Sequence, residues 1–588
     1  MHNINFFFVH FLILFLMVLN FLFLGNFFLV FSKSTINSDR VINSCLAVVL
    51  GQGIFIILIL FLGAFGLFTK KWLIVISLLT FILGSIFLLT KEINSGSINY
   101  FTDLKMTLNH WLSVLLVLLF AVPALLTPFR ITLPSDETAY HLPHALEWAR
   151  SGSITINEWL RYPWFPFNYN LLYSSAILIY DETLSHMLNT LAGLLIALLV
   201  YRIGVKHFTQ SVAVVATVIW LQLDRGDFGK AYVDFGLTLY VFSSFIVFYS
   251  WEQNRADTKL LFLSSLFLGV ALGTKYQTLL FLPLFVLSVV YIDRRLSSWF
   301  ISCIGLVIPS AYWYVRNFLI TGDPFDPFGG HIFGFYDWNL EDYAGQFKDL
   351  ARQADWPRYE LWPSLLALWP IVQSRSKFKI LCLILSIYFF FLWYVTSKYP
   401  RYLMPIFPIL ALLSAEQACL VFTFFLKKML SLISFKPLLK VKVLPWVFIF
   451  SAFFLSSLAS IRTSLSLITI GGDERNILFR ARIPIYPLIE FLNSHSSGRT
   501  YAVDFNDYKY YVNMPVWGDV FGPWRYKDIV SSDPLRFSRK LNELQFQKVI
   551  VPQQLATELE SYSNFSQSFS KIFQGNGFVL YSVLDTSK

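Results

Sequence analysis

Apolar positions in this chain come as long unbroken runs rather than as stripes or alternations. Runs near residues 6–31, 43–66, 72–90, 111–129, 183–203, 210–223, 234–251, 259–274, 277–292, 299–318, 363–373, 378–396, 402–425 and 443–461 are separated by short polar segments. A helix needs roughly 17–25 apolar residues to cross a bilayer, so the pattern predicts an α-helical polytopic membrane protein with about 12–14 transmembrane helices. The runs at 210–223 and 363–373 are short, and fit tilted, re-entrant or merged segments equally.

Three stretches break the pattern. In residues 130–182, Leu142, Leu146, Trp148 and Ala149 recur at helical spacing and predict one amphipathic helix. The RYPWFPFNYN segment of the same loop reads as an aromatic, Pro-rich chain at headgroup level. Residues 320–363 carry GDPFDPFGG among acidic and aromatic side chains, and ordered loops of this length are usually functional. Beyond residue 463, segments 499–517, 546–555 and 578–584 read as strands and 532–545 as a helix. The chain thus divides into additional N-terminal helices (1–110), a transmembrane core (111–462) and a small C-terminal α/β domain (463–588). That domain has no glycine-rich nucleotide motif.

Composition supports the membrane reading. Of 588 residues 56% are hydrophobic and only 14% charged, with a mean hydropathy of +0.58. The net charge of +10 would suit nucleic acid, but the basic residues sit mainly in short loops on one side, the usual cytoplasmic excess. Nucleic acid is therefore excluded as a partner. Loops 202–207, 252–259, 293–295, 375–379 and 427–442 form that side, while 224–234 and 322–360 fall opposite. Loop 130–182 and the C-terminal domain then lie outside, and Lys70 and Lys71 are the departure from the rule. Cys303, Cys382 and Cys419 lie inside predicted spans and Cys45 at the edge of one, which supports neither disulfides nor a metal cluster. The first run lacks a basic leader and is too long for a signal core, so it reads as a span.

The candidate chemistry centres on LPSDETAYHLPHALEWARSG, residues 133–152. Asp136 and Glu137 sit within a turn or two of a membrane end, where carboxylates are costly unless solvated, paired or used. Asp136 reads either as the N-cap of the helix carrying Tyr140, Leu142 and Leu146 or as part of a site. His141 and His144 read as helix-surface residues. Four cations lie at outer helix ends: Lys275, Arg316, Lys398 and Arg401. Each also has a structural reading: snorkelling for Lys275, pairing with Asp323 or Asp326 for Arg316, and interfacial anchoring for Lys398 and Arg401.

DETAYHLPHALEWARSG resembles the start of the first outer loop in the GT-C superfamily of membrane glycosyltransferases, which includes lipid A aminoarabinose transferases and protein O-mannosyltransferases. YPWFPFNYNLLYSSAILIYDETLSHMLNTLAGLL, GVALGTKYQTLLFLPLFVL, WYVRNFLITGDPFDP and YPRYLMPIFPILALLSA are similar to later stretches of such enzymes, in order. The resemblance covers residues 111 to 460; the chain departs from it in three extra N-terminal helices and in lacking a Lys-Pro-Pro sequence, which leaves the acceptor open. It implies a GT-C-like core and an inverting enzyme that moves a sugar from a polyprenyl-phosphate donor to a hydroxyl of a glycan, lipid or protein. In a bacterium that enzyme would sit in the inner membrane with its site facing the periplasm. Within this frame Asp136 is the catalytic base, and one base suffices for inversion. Glu137 orients the site or helps Asp136 hold a divalent ion, Mg or Mn, although two carboxylates do not define a metal site and some relatives manage without one. Lys275, Arg316, Lys398 and Arg401 are the candidates to hold the leaving phosphate, and Tyr140, His141 and Tyr169 to contact substrate. Two alternatives stand beside this reading. A transporter or flippase of lipid-linked sugars predicts internal repeats and midplane charges. A glycan ligase or polymerase predicts an essential Arg or His in a large outer loop. The sequence shows no repeat between its halves, and its charges concentrate at outer loop edges.

Overall fold

A computed structural model describes residues 2–31, 39–95, 108–223, 225–367, 376–432, 454, 457–468, 472–495 and 497–584. The long apolar runs form helices, because a backbone in hydrocarbon must satisfy its own hydrogen bonds. They are α1 (His2–Phe31), α2 (Arg40–Ala64), α3 (Lys70–Ser95), α4 (Leu108–Leu126), α5 (Leu142–Ser151), α6 (Asn168–Ile179), α7 (Glu182–His207), α8 (Gln210–Leu223), α9 (Asp234–Gln253), α10 (Thr258–Leu272), α11 (Leu282–Ile292) and α12 (Leu296–Thr321). After α12 come the short α13 (Gly330–Phe333), α14 (Leu340–Arg352), α15 (Lys377–Thr396) and α16 (Phe407–Leu432). Among the described residues six helices are long and apolar enough to cross a membrane, and four shorter apolar ones join the same bundle. The protein is an integral membrane protein. The expected span at 363–373 is a run of 3-10 turns over Tyr359–Ala367 as far as it is described, and most of 443–461 lies outside the described residues.

Small residues set the helix packing. A Cβ at Gly25 would lie 1.8 Å from the Ala47 carbonyl oxygen, and one at Gly51 would lie 1.8 Å from that of Phe21, so α1 and α2 touch backbone to backbone. Gly269 of α10 and Gly305 of α12 allow a second close crossing. That crossing lies one turn from the end of α10, which is followed by Lys275.

Loop 130–182 holds two helices. The amphipathic pattern is α5, closed by Gly152 in the left-handed conformation. The unexpected one is α6, which buries Asn168, Asn170, Ser174 and Ser175 among apolar neighbours. Asn168 donates from Nδ2 to the carbonyls of Val270 (3.2 Å) and Pro309 (2.8 Å) and accepts from the Trp313 indole at 2.7 Å. Its backbone N–H donates to Gly273 at 2.7 Å, so α6 clamps the end of α10 against α12.

The C-terminal segment contains a five-stranded sheet of order β2-β1-β3-β5-β4. Its strands are β1 (Thr500–Ala502), β2 (Val516–Trp517), β3 (Lys548–Pro552), β4 (Phe569–Gly575) and β5 (Phe578–Val583). β2, β1 and β3 run parallel, while β3, β5 and β4 pair antiparallel. The segment docks on loop 130–182. Tyr511 donates from its hydroxyl to Thr132 O at 2.9 Å, and the Lys509 ammonium donates to Trp159 O at 2.6 Å.

Candidate active site

The acidic loop is shaped by Pro143, the second residue of α5. Proline has no N–H and its ring opposes the carbonyl four residues back, so an α turn cannot close there. The preceding segment widens into a single π turn, Glu137–His141, with the Leu142 N–H bonded to Glu137 O. Such turns recur at functional sites. Ser135 and Thr138 close the start of the turn between them: the Ser135 N–H donates to Thr138 Oγ1 at 2.9 Å, and that hydroxyl donates to Ser135 O at 2.9 Å. Asp136 makes no capping hydrogen bond. The N-cap reading therefore fails, and the carboxylate is free to face elsewhere.

It faces Arg401. This residue sits in the turn Pro400–Ile406 that leads into α16, and its Nη2 lies 2.6 Å from Asp136 Oδ2. Behind it, Asp234 at the start of α9 receives the Lys275 ammonium at 2.8 Å and lies 3.8 Å from Arg401 Nε. The guanidinium stacks over Tyr232 at 4.9 Å and Tyr399 at 5.3 Å, and Lys275 over Tyr402 at 4.8 Å. Three segments distant in sequence thus bring one acid, Asp234, and two cations, Lys275 and Arg401, against the acidic loop. The Asp136 side chain is 41% exposed, opening into a cavity of about 640 Å³ rather than into bulk solvent. Burial pushes its carboxyl up, but the charge and hydrogen bond of Arg401, aided by His141 and Lys275, outweigh this and hold it below the usual carboxylate value.

Tyr140, His141, Lys275 and Arg401 also line the cavity, together with apolar Leu279, Leu280, Phe389 and Trp393. Its far wall carries Gln346, Asp349 and Gln353 of α14, and the C-terminal segment contributes Phe521. His141 accepts from Asn170 Nδ2 at 3.1 Å, and burial pushes its imidazole down to about 3, so it is neutral.

Four expected site residues lie elsewhere. Glu137 turns away from the cavity and is buried; its Oε2 pairs with His186 Nε2 at 3.1 Å and accepts from the Ala231 N–H at 2.7 Å. It ties the acidic loop to α7 and to the segment before α9. Tyr169 is fully buried, its hydroxyl donating to Leu188 O at 3.2 Å. Arg316 is packed between Trp164 and Trp313 and donates to Pro163 O at 3.2 Å, with no ion pair to Asp323 or Asp326 among the described residues. Lys398 is exposed, 4.2 Å from the Tyr394 ring centroid, in keeping with an interfacial anchor. In each case the side chain points away from the cavity. His144 packs on Trp148 and Phe167 and is held by Arg161 O at 3.0 Å.

Sequence reasoning missed Asp234, which starts an apolar run and reads there as the end of a loop. The signal available was a carboxylate at the same membrane end as Asp136. It also missed Tyr232, Tyr399 and Tyr402, whose rings sheath the two cations. A divalent ion does not fit the acidic pair as it stands. Asp136 is committed to Arg401, Glu137 to His186 and a backbone N–H, and among the described residues no three His, Cys, Asp or Glu side chains converge. The expected Mg or Mn thus finds no chelating geometry at these two carboxylates.

The chain is similar to several known proteins in sequence or in fold. A family model described as SF2091/S2213 matches residues 474–582, within the C-terminal segment. Two uncharacterized proteins of Shigella flexneri are similar. SF2092/S2214 is 29% identical over 129 residues, covering 20% of this chain and 69% of that protein. SF2093/S2215 is 27% identical over 202 residues, covering 34% of this chain and 98% of that protein. Among solved structures, ArnT from Cupriavidus metallidurans bound to undecaprenyl phosphate superposes with a TM-score of 0.50 at 13% identity, over 82% of this chain and 99% of that one. The apo oligosaccharyltransferase of Archaeoglobus fulgidus aligns with a TM-score of 0.46 at 12% identity, over 82% of this chain and 75% of that one. In fold, this chain is similar to ArnT over most of the length of both proteins.

Proposed function

We propose that the cavity is the active site of an inverting glycosyltransferase that uses a polyprenyl-phosphate sugar. The observation that carries this reading is the Asp136 carboxylate, paired with Arg401 near Lys275 and opening into a cavity of about 640 Å³ with an apolar wall. Pockets of roughly 300–1,000 Å³ suit a substrate of that size. Lys275 and Arg401 are placed to receive a phosphate, and Leu279, Leu280, Phe389 and Trp393 to receive the first isoprene units. ArnT, solved with undecaprenyl phosphate, supports a donor of this class.

In the step this implies, the acceptor oxygen bonds to the anomeric carbon and gives its proton to Asp136. The anomeric carbon–phosphate oxygen bond breaks, and its electron pair leaves on the lipid phosphate, where Lys275 and Arg401 balance the added charge. Tyr140 and His141 line the sugar's side, and neutral His141 supplies hydrogen bonds rather than charge. Glu137 acts from behind by holding the π turn. Facing the periplasm from a bacterial inner membrane, the site would meet lipid-linked donors where nucleotide sugars are absent. The acceptor is a glycan, lipid or protein hydroxyl. Transfer of radiolabelled sugar from polyprenyl-phosphate donors tests the reading, with wild type and Asp136→Asn compared. Loss of a general base is expected to cost about 10²–10⁴ in rate. Undiminished transfer by folded Asp136→Asn would sink it.

A further inference from the structure

The proposed base is bound to a cation. A carboxylate that holds a guanidinium at 2.6 Å is a poor acceptor for a hydroxyl proton, since protonation forfeits that bond. Arg401 is otherwise under-used. Its Nε is buried without a hydrogen-bond partner, and Asp234 is 3.8 Å away, an attraction of charge and not a hydrogen bond. Lys275 is already satisfied by Asp234 at 2.8 Å, and Arg161, the third cation of the cavity wall, is held by Asp519 at 2.6 Å. Of these three cavity cations Arg401 is the one with a buried N–H that finds no hydrogen-bond partner, and its planar fork matches two phosphate oxygens better than it matches the single carboxylate oxygen it now holds.

We infer that Arg401 is a latch on Asp136 that the donor's phosphate opens: the incoming lipid phosphate takes over the guanidinium, and the carboxylate is released as the base only once donor is in place. This rests on the donor reading proposed above. The charges point the same way. Asp136, Asp234, Lys275 and Arg401 form a neutral set, and a phosphodiester adds one negative charge. Released from its cation inside a net negative site, Asp136 is driven to accept a proton, and the acceptor hydroxyl provides one. The groups facing Asp136 do not offer a substitute partner. They are Tyr140 and neutral His141 of its own turn, Asp234 and Tyr232 at α9, Lys275 on Asp234, Tyr399 and Tyr402 beside Arg401, and Tyr162 and Asp507 from the loop and C-terminal segment. The latch orders the reaction: donor binds first, and no active base stands in the cavity without it.

The test uses the full chain in lipid nanodiscs, with undecaprenyl phosphate as the probe and two readouts. One is binding of radiolabelled undecaprenyl phosphate. The other is modification of Asp136 by a hydrophobic carbodiimide, which reacts with protonated carboxyls and is read by peptide mass spectrometry. The probe is expected to raise Asp136 modification about tenfold in wild type. Arg401→Gln is expected to show that higher level without the probe, and no further rise with it. Arg401→Lys keeps the charge should the glutamine variant not fold, and is expected to stay latched and still respond. Probe that binds without raising Asp136 modification overturns the latch and leaves the donor reading standing. A protein that binds no undecaprenyl phosphate loses the donor reading and the latch with it.

Discussion

As the proposed base, Asp136 must be ionised to take a proton, so its charge state is expected to set the acid side of the pH profile. In the empty site burial raises its carboxyl and Arg401 more than reverses this, leaving it below the ordinary 3.8. Activity requires the deprotonated form, so kcat/KM, which reports the free enzyme, is expected to stay flat from about pH 8 down to about pH 5. The kcat profile reports the bound enzyme, and its acid limb should lie higher because the donor has taken Arg401. His141 adds no limb in this window, since burial keeps it neutral to about 3. Steady-state rates across pH decide the matter: a neutral-range fall in kcat/KM would give the base role to another group. At this scale the sequence showed charge type but not direction. Asp136, Lys275 and Arg401, which meet at the cavity, stood out because charges near membrane ends must be solvated, paired or used. Glu137, Arg316 and Lys398 have the same signature and point elsewhere, and no hydropathy pattern separates the two sets. Asp234 was hidden by the apolar run it begins.

Elements that interrupt a regular pattern are the ones that build this site. The helices of the bundle were legible to within a few residues, since long apolar runs admit no other structure in a membrane. α6 was not, because its Pro-rich, aromatic approach reads as interfacial chain and its four buried polar residues mask an apolar core helix. Asn168 and Asn170 bond to groups of α10, α12 and the acidic loop, which only the folded structure supplies, while the Ser174 and Ser175 hydroxyls donate to carbonyls of α6 itself. The π turn is likewise a tertiary feature, though Pro143 is its visible cause. Pro143→Ala restores an N–H that can bond to Ala139 O and lets an α turn form in its place. That change rotates Asp136 relative to Arg401 while leaving the packing of α5 intact. Thermal stability is expected to be unchanged or raised, and sugar transfer to fall at least about tenfold, the cost of a modest displacement at a reacting centre. A variant as active as wild type would show that the turn's geometry is incidental.

At the scale of the molecule, the C-terminal segment closes one side of the cavity and is fastened there by charge. Asp519 accepts from Arg161 Nη2 at 2.6 Å and from its Nε at 3.1 Å, and Asn506 donates to the same carboxylate at 3.2 Å. Arg525 reaches Asp342 of α14 at 2.5 Å, so the segment grips both loop 130–182 and α14. Phe521, beside this clamp, lies on the cavity wall. Arg161→Ala leaves a buried carboxylate without its main partner, a defect that costs about 3–5 kcal/mol where it has been measured in other proteins. The charge is local to the docking surface, so the helical bundle is expected to stay folded while the segment loosens. Hydrogen exchange should then accelerate around residues 500–552, and donor transfer should drop because one wall of the cavity moves. The companion Arg161→Met/Asp519→Asn removes both charges and should recover most of the protection, as exchanging a whole buried pair is far milder than orphaning one member. Equal loss in the single and double variants would mean that the shape of Arg161, packed 5.8 Å from the Phe521 ring centroid, fastens the segment rather than its charge.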